Sequence, residues 1–225
     1  MARTAAARKA QAEPAAPERA YAGKTLAARR DDQRERILLA ARDVFAARGY
    51  AGAGVEEIVR RAGVSRSTFY VFFENKEECL LAVFRLGIER IGGALLETVA
   101  ATAAPDYDPA QRVREEVRAI AAAFAADPAM ARIVLIGIVG ATPAAEHARA
   151  RARHDGASVI EQQLAGYPNW QKRTAVERHV ASLATMAAIG ETISELVETG
   201  RIEEWETIVE PLSEFVARAL IPQRA

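Results

Sequence analysis

Residues 55–73 read VEEIVRRAGVSRSTFYVFF. Val55, Ile58, Val59 and Ala62 fall on one side of a short helix, and Gly63 interrupts the run. A glycine there supplies the backbone conformation that a sharp turn requires. Ser65 then offers a hydroxyl N-cap for a second helix over 66–73. Two short helices joined by a tight glycine-bearing turn describe a helix-turn-helix. With successive side chains ~100° apart, Thr68, Phe69, Phe72 and Phe73 share the arc that such a helix buries. Arg66, Ser67, Tyr70, Val71 and Glu74 share the opposite arc.

The flanks extend the helical pattern. Ile37, Ala40, Ala41, Val44 and Phe45 recur at helical spacing and Gly49 supplies a stop, which predicts a helix over 31–48. Asn75, with Glu78 three residues on, resembles a capping box and opens a long helix from 76 to about 100. PDYDP at 105–109 is a break. Beyond it the pattern predicts helices over 110–126, 128–140, 144–166, 171–199 and 203–220. Pro128, Pro143 and Pro168 stand at boundaries, and Pro211 is expected to kink or split the last helix. No segment alternates with period two, so the fold class is all-α. The expected organisation is a disordered basic arm over 1–30, a three-helix helix-turn-helix domain over 31–78, and a larger helical domain over 79–225.

Composition agrees with helices: 50 of the 225 residues are Ala and 14 are aromatic. Cys79 is the single cysteine, so neither an internal disulfide nor a multi-thiolate metal site can form. Glu77 and Glu78 oppose any helix-terminal activation of that thiol, which reads as a core residue. His147 and His154 are seven apart, too far for a chelating pair, and with Arg149, Arg151 and Arg153 they read as a solvated basic face. The longest uninterrupted apolar run, Ile133–Ala141, falls short of the ~20 residues that span a bilayer. The first twenty residues hold no apolar signal core. The expectation is a soluble cytoplasmic protein with no membrane partner and no cofactor. Without a phosphate loop, nucleophile elbow or metal set, an enzyme is not expected.

The exposed arc of the 66–73 helix carries donors that reach base edges and phosphates in a major groove. Lys76 stands in the first turn of its helix, where the macrodipole disfavours a cation by roughly 0.3–1 kcal/mol. An anion opposite it, such as a backbone phosphate, would account for the placement. The formal net charge is zero, yet residues 1–76 hold 15 Lys plus Arg against 9 Asp plus Glu, and residues 77–225 hold 15 against 21. The basic half contains the helix-turn-helix.

The stretch Arg36–Leu80 resembles the DNA-binding domain of the TetR family of transcriptional regulators. The resemblance rests on Ile37, Ala41, Phe45, Gly49–Tyr50, Val55, Ile58, the AGVS turn, Thr68–Phe69–Tyr70, Phe73 and Lys76. It implies a homodimer, a C-terminal domain responsive to a small ligand, and usually repression of a palindromic operator. It implies that Arg66, Ser67 and Tyr70 face DNA and that Tyr70 and Lys76 hold phosphates. The family commonly has hydroxyl residues where this chain has Ala53 and Gly54, so a capping, phosphate-binding side chain is missing. Gly54 can still cap. The candidate DNA-contacting set is Arg66, Ser67, Thr68, Tyr70, Val71, Lys76 and Gly54, and the partners expected are double-stranded operator DNA, a small apolar or amphipathic effector, and a second copy of the chain.

In the C-terminal part, Leu86, Phe124, Ile133, Leu135, Ile136 and Trp170 are candidate effector contacts, large apolar groups for a pocket among the helices from 79 to 166. Val176, Val180, Leu183 and Ala187, with Phe215 on the last helix, form an apolar stripe that reads equally as intramolecular core or as part of a helical dimer interface, and the resemblance favours the interface. The alternative reading is an all-α small-molecule-binding protein whose helix-turn-helix is vestigial, supported by the missing hydroxyls at 53 and 54.

Overall fold

The computed structural model describes residues 26–104 and 106–221. Residues 1–25 of the arm expected over 1–30 lie outside the described residues. Helix α1 is Leu26–Gly52 and breaks at Gly49, where φ is 66° and ψ 174°. It therefore starts five residues earlier than expected, and 26–30 are helical rather than part of an arm. Ala27 and Ala28 favour that extension, and the Arg30 guanidinium rests over the Phe72 ring, 5.9 Å from its centroid.

Helix α2 is Val55–Ala62 and α3 is Arg66–Phe72. Helix α4, Lys76–Ala101, is capped by Asn75, whose side chain accepts from Glu78 N. The reciprocal half of the expected capping box is displaced by one residue: the Glu78 carboxylate accepts from the Glu74 N–H at 2.6 Å, not from Asn75. Asp108 caps α5, Pro109–Ala125, and Asp127 caps α6, Pro128–Arg132. The helix expected over 128–140 is not uniform, since α6 continues into a π-helical turn at Ile133–Gly137. Helix α7 is Pro143–Leu164.

The helix expected over 171–199 is two pieces. A short α8, Pro168–Gln171, ends before Thr174, which forms a full capping box with Glu177 and starts α9, Ala175–Glu198. After a 3-10 turn at Ile202–Glu204, α10 runs Glu206–Leu220. Pro211 lies inside α10 without splitting it. Its ring is exposed, so the Thr207 carbonyl deprived of an N–H partner is open to water.

Helix α1 packs on α2, α4, α6 and the π turn, α5 lies between α4 and α10, and α9 lies on α7 and α10. Ile37, Ile58 and Phe69 from the first three helices share one buried cluster with Val83, Val117, Ile133 and Ile193. An ionic chain reinforces the same junction. Asp43 accepts from Arg42 and Arg61 (2.7 Å each), and Asp127 accepts from Arg42 (2.8 Å) and Arg90 (3.2 Å). Burial pushes the Asp43 carboxyl up, but the hydrogen bonds from its two arginines outweigh that and hold it below the ordinary carboxylate value.

Candidate nucleic-acid interface and ligand cavity

The turn between α2 and α3 is built by local rules. Gly63 adopts φ 61° and ψ 41°; its N–H donates to Arg60 O, and the Val64 N–H reaches Val59 O at 3.1 Å. These are the paired bonds of a Schellman motif. Arg36 locks the turn from α1, donating from Nη2 to the carbonyls of Ala62 (2.5 Å) and Gly63 (2.9 Å). Ser65 caps α3, its Oγ accepting from Thr68 N at 3.0 Å. Phe69 is fully buried and meets Tyr70 edge-on at 5.4 Å, which fixes the rotation of α3.

That rotation turns Arg66, Ser67, Tyr70 and Val71 outward, with Val71 61% and Tyr70 45% exposed. Thr68 is half-buried and its hydroxyl pairs with Ser65 Oγ at 2.7 Å. Phe72, expected to be buried, is half-buried. Arg66 lies along the helix surface: Nη1 donates to Glu56 Oε1 at 2.6 Å, and the guanidinium sits 5.7 Å from the Tyr70 ring centroid. Gly54 is the extended N-cap of α2, exposed and without a side-chain cap bond.

Lys76 has a different partner from the one its sequence position suggested. Nζ donates to the carbonyls of Tyr50 (2.7 Å) and Ala53 (2.9 Å) and lies 4.3 Å from the Tyr50 ring centroid. The negative groups opposing it are the carbonyls just beyond the Gly49 break, and two of its three N–H donors are used inside the protein. Cys79 is buried, and burial pushes its thiol up to about 12.

A cavity of about 570 Å³ lies among α4, α5, α7, α9 and α10. Its wall is mainly aliphatic and aromatic, with Phe84, Ile88, Val117, Ile120, Phe124 and Ile189 prominent. Of the six expected contacts, Phe124 and Leu135 line it. Leu86, Ile133 and Ile136 do not. Ile133 is core, and Leu86 and Ile136 are half-buried packing against that core. Val134, beside Leu135 on the π turn, reaches the wall as well. Trp170 is buried under the Arg173 guanidinium and borders a separate hollow of about 1010 Å³ edged by Arg114, Glu210 and Glu214.

The wall also carries polar groups that the sequence reading passed over: Arg112, Glu116 and Thr185. Arg112 and Glu116 sit one turn apart among Val113, Val117 and Ile120, and polar residues interrupting an apolar stripe were the legible signal. Arg149 and Arg153, expected on a solvated face, line the cavity too.

The expected pairing residues all lie on the surface. Val176, Val180, Leu183 and Phe215 are 71%, 57%, 39% and 55% exposed, and Ala187 is exposed beside them. Helix α9 is also long and apolar enough, by length and composition, to cross a membrane. Uninterrupted runs had not shown this, because scattered charges divide them.

Residues 37–83 match the sequence model of the bacterial regulatory proteins of the tetR family. That segment is similar to the DNA-binding part of the TetR family. It is 38% identical over 90 residues to the HTH-type transcriptional activator FasR of Mycolicibacterium smegmatis, covering 40% of this chain and 39% of that one. It is 30% identical over 102 residues to the HTH-type transcriptional regulator EthR of the same species, covering 45% and 46%. The matches thus span less than half the length of these relatives. Among solved structures, the fatty acid degradation regulator FadR from Bacillus halodurans superposes with a TM-score of 0.69, at 20% identity over 84% of this chain and 99% of that one. FadR from Bacillus subtilis in complex with stearoyl-CoA gives 0.70, at 18% identity over 82% and 98%. The likeness in all-α fold therefore extends well beyond the matched segment.

Proposed function

We propose that this protein is a cytoplasmic, ligand-responsive repressor that binds a palindromic operator as a homodimer and is released by a small apolar or amphipathic effector. The observation that carries the reading is the outward face of α3. Arg66, Ser67, Tyr70 and Val71 are exposed together on a helix whose opposite face is anchored by Phe69. Such a helix presents base-reading and phosphate-binding groups to a major groove, with Thr68 and Gly54 at the margins of the contact. Lys76 braces the end of α1 and offers its remaining N–H to a phosphate. A 30-residue arm is not required for this reading, and the working division is a head over 31–78 on a body over 79–225.

The aliphatic cavity supports an effector with an apolar chain, and the complex of a FadR neighbour with stearoyl-CoA supports the same class. The cavity wall includes Val134 and Leu135, which follow α6 directly. The N-cap of α6 is Asp127, tied through Arg42 and Asp43 to Arg61 on α2. Displacement of α6 by an effector would reach the reading head by that route and change the separation of two heads in a dimer. Operator DNA must then weaken effector binding by the same factor.

Selection of bound sequences from random duplex DNA tests the reading. The expected product is a palindrome whose half-sites lie about 34–36 Å, or a multiple, apart. Affinity for it should fall with salt at a slope of about −0.9 per phosphate contact. Lys76→Met should lower stability and make that slope shallower by about one per half-site. Absence of salt-sensitive DNA binding would favour the ligand-binding protein with a vestigial helix-turn-helix.

A further inference from the structure

Three polar groups stand out on the wall of the cavity. The Arg112 guanidinium donates from Nη1 to the Tyr167 hydroxyl at 3.1 Å and from Nη2 to the carbonyls of Thr102 and Ala104. Its buried Nε has no hydrogen-bond partner among the described residues. Glu116 follows one turn later on the same face of α5. Across the cavity, Thr185 on α9 is 2% exposed and its Oγ1 also has no partner among the described residues. Buried polar groups are almost always satisfied, so two unpaired ones on the wall of one cavity call for an occupant that pairs with them.

The chemistry of these groups restricts that occupant. The Arg112 guanidinium is a cationic group that can only donate hydrogen bonds. Its Nη partners are neutral oxygens, so they leave its positive charge uncompensated. Burial pushes the Glu116 carboxyl up to about 7, against the pull of Arg112. At or below neutral pH the carboxyl is therefore a donor as well. An arginine N–H, a carboxyl O–H and a threonine O–H together suit an acceptor, and the arginine charge repels a cation.

We propose that Arg112, Glu116 and Thr185 form a polar anchor that holds the carboxylate end of a single-chain amphiphile while the apolar wall holds its chain. The inference rests on reading this cavity as the effector site. Roughly 20 water-sized units of about 30 Å³ fill such a volume, enough for a medium-length chain with its head. Bound carboxylate keeps Glu116 protonated, so binding above neutral pH takes up a proton and weakens as pH rises. The remaining ionisable groups on the wall are Arg149, Arg153 and Asp155 from α7, Tyr167 after it, and Glu191 from α9. Arg149 is paired with Glu146, and α4 and α10 contribute apolar side chains to the wall.

The test is calorimetric titration of the full chain with decanoate and with decylamine between about pH 6 and about pH 8, above the carboxylate and below the amine titration. Decanoate should bind at least ~10-fold more tightly than decylammonium, and its affinity should fall roughly tenfold across that range as Glu116 ionises. Glu116→Gln should retain binding and flatten the pH profile. Thr185→Val, which is nearly isosteric, should weaken decanoate by roughly five- to tenfold. Thermal melts establish that both variants fold. Tighter binding of decylammonium, or a pH profile unchanged in Glu116→Gln, overturns the anchor and leaves the cavity as an effector site. Failure of both amphiphiles to bind protein that still binds operator overturns the cavity reading and the anchor with it.

Discussion

Arg66 reaches solvent from the first turn of α3 already aligned by Glu56 on one side and the Tyr70 ring on the other. An exposed ion pair of this kind is weak and salt-screened, so under the proposed docking of α3 a guanine edge or a phosphate would displace Glu56 readily. Arg66→Ala should therefore relax sequence preference at one base position by roughly tenfold or more. Glu56→Gln, which removes a negative charge beside the DNA, should tighten binding to all sequences alike. Fluorescence anisotropy on the preferred duplex and its single-base variants separates the two effects. Glu116 carries a second expectation that needs no ligand. Its folded value of about 7 exceeds the ordinary unfolded value. Between roughly 4.3 and 7 the folded chain holds a proton that the unfolded chain has released, so this contribution to stability declines as pH rises and levels off above 7. Melting temperatures should show Glu116→Gln gaining on the parent across that window. A constant difference would mean that Glu116 titrates normally.

At the scale of elements, the angle between α2 and α3 depends on Gly63. A Cβ there meets a left-handed backbone penalty of about 1–2 kcal/mol and would lie 2.6 Å from Arg36 Nη2. Gly63→Ala should lower stability by at least that penalty in urea titration and weaken DNA binding uniformly, because the reading face is mispositioned while its side chains are intact. The head was legible in the sequence because each part of it is local: an apolar stripe on α2, a glycine, a hydroxyl cap, then alternating arcs on α3. The break before α9 has an equally local cause in Thr174 and Glu177, but Trp170 continues the apolar rhythm across it and hides the cap. The π turn left no mark, since IVLIG suits either helical form. For the cavity, Phe124 and Ile133 are equivalent in sequence, both large and buried. Only the path of α6 into the π turn decides that Val134 and Leu135 face the cavity and Ile133 does not.

The whole molecule combines a basic head with an acidic body and leaves one apolar stripe uncovered on that body. Val176, Val180 and Leu183 are side chains that folding normally buries, yet they stand exposed along successive turns of α9 with Phe215 on adjacent α10. Contiguous exposed apolar groups on one face mark an interaction surface. Two copies related by a two-fold axis would bury this stripe against itself, as an isologous helical interface requires. The symmetry would also present two α3 helices to one duplex, with their phosphate-facing basic ends on the same side. Leu183→Glu places a charge at the middle of the stripe, where a monomer tolerates it within about 0.5 kcal/mol because the position is already exposed. In a dimer the same carboxylates would be buried near their symmetry mates. Sedimentation should therefore show a monomer with an unchanged melting profile at low concentration. Affinity for a full palindrome should fall roughly a hundredfold or more, because the second head loses its effective concentration. Affinity for an isolated half-site, and its salt slope, should stay as in the parent. If Leu183→Glu sediments as the parent does, α9 is not the pairing face. Retention of full palindrome affinity by a monomeric variant would show instead that the heads act independently.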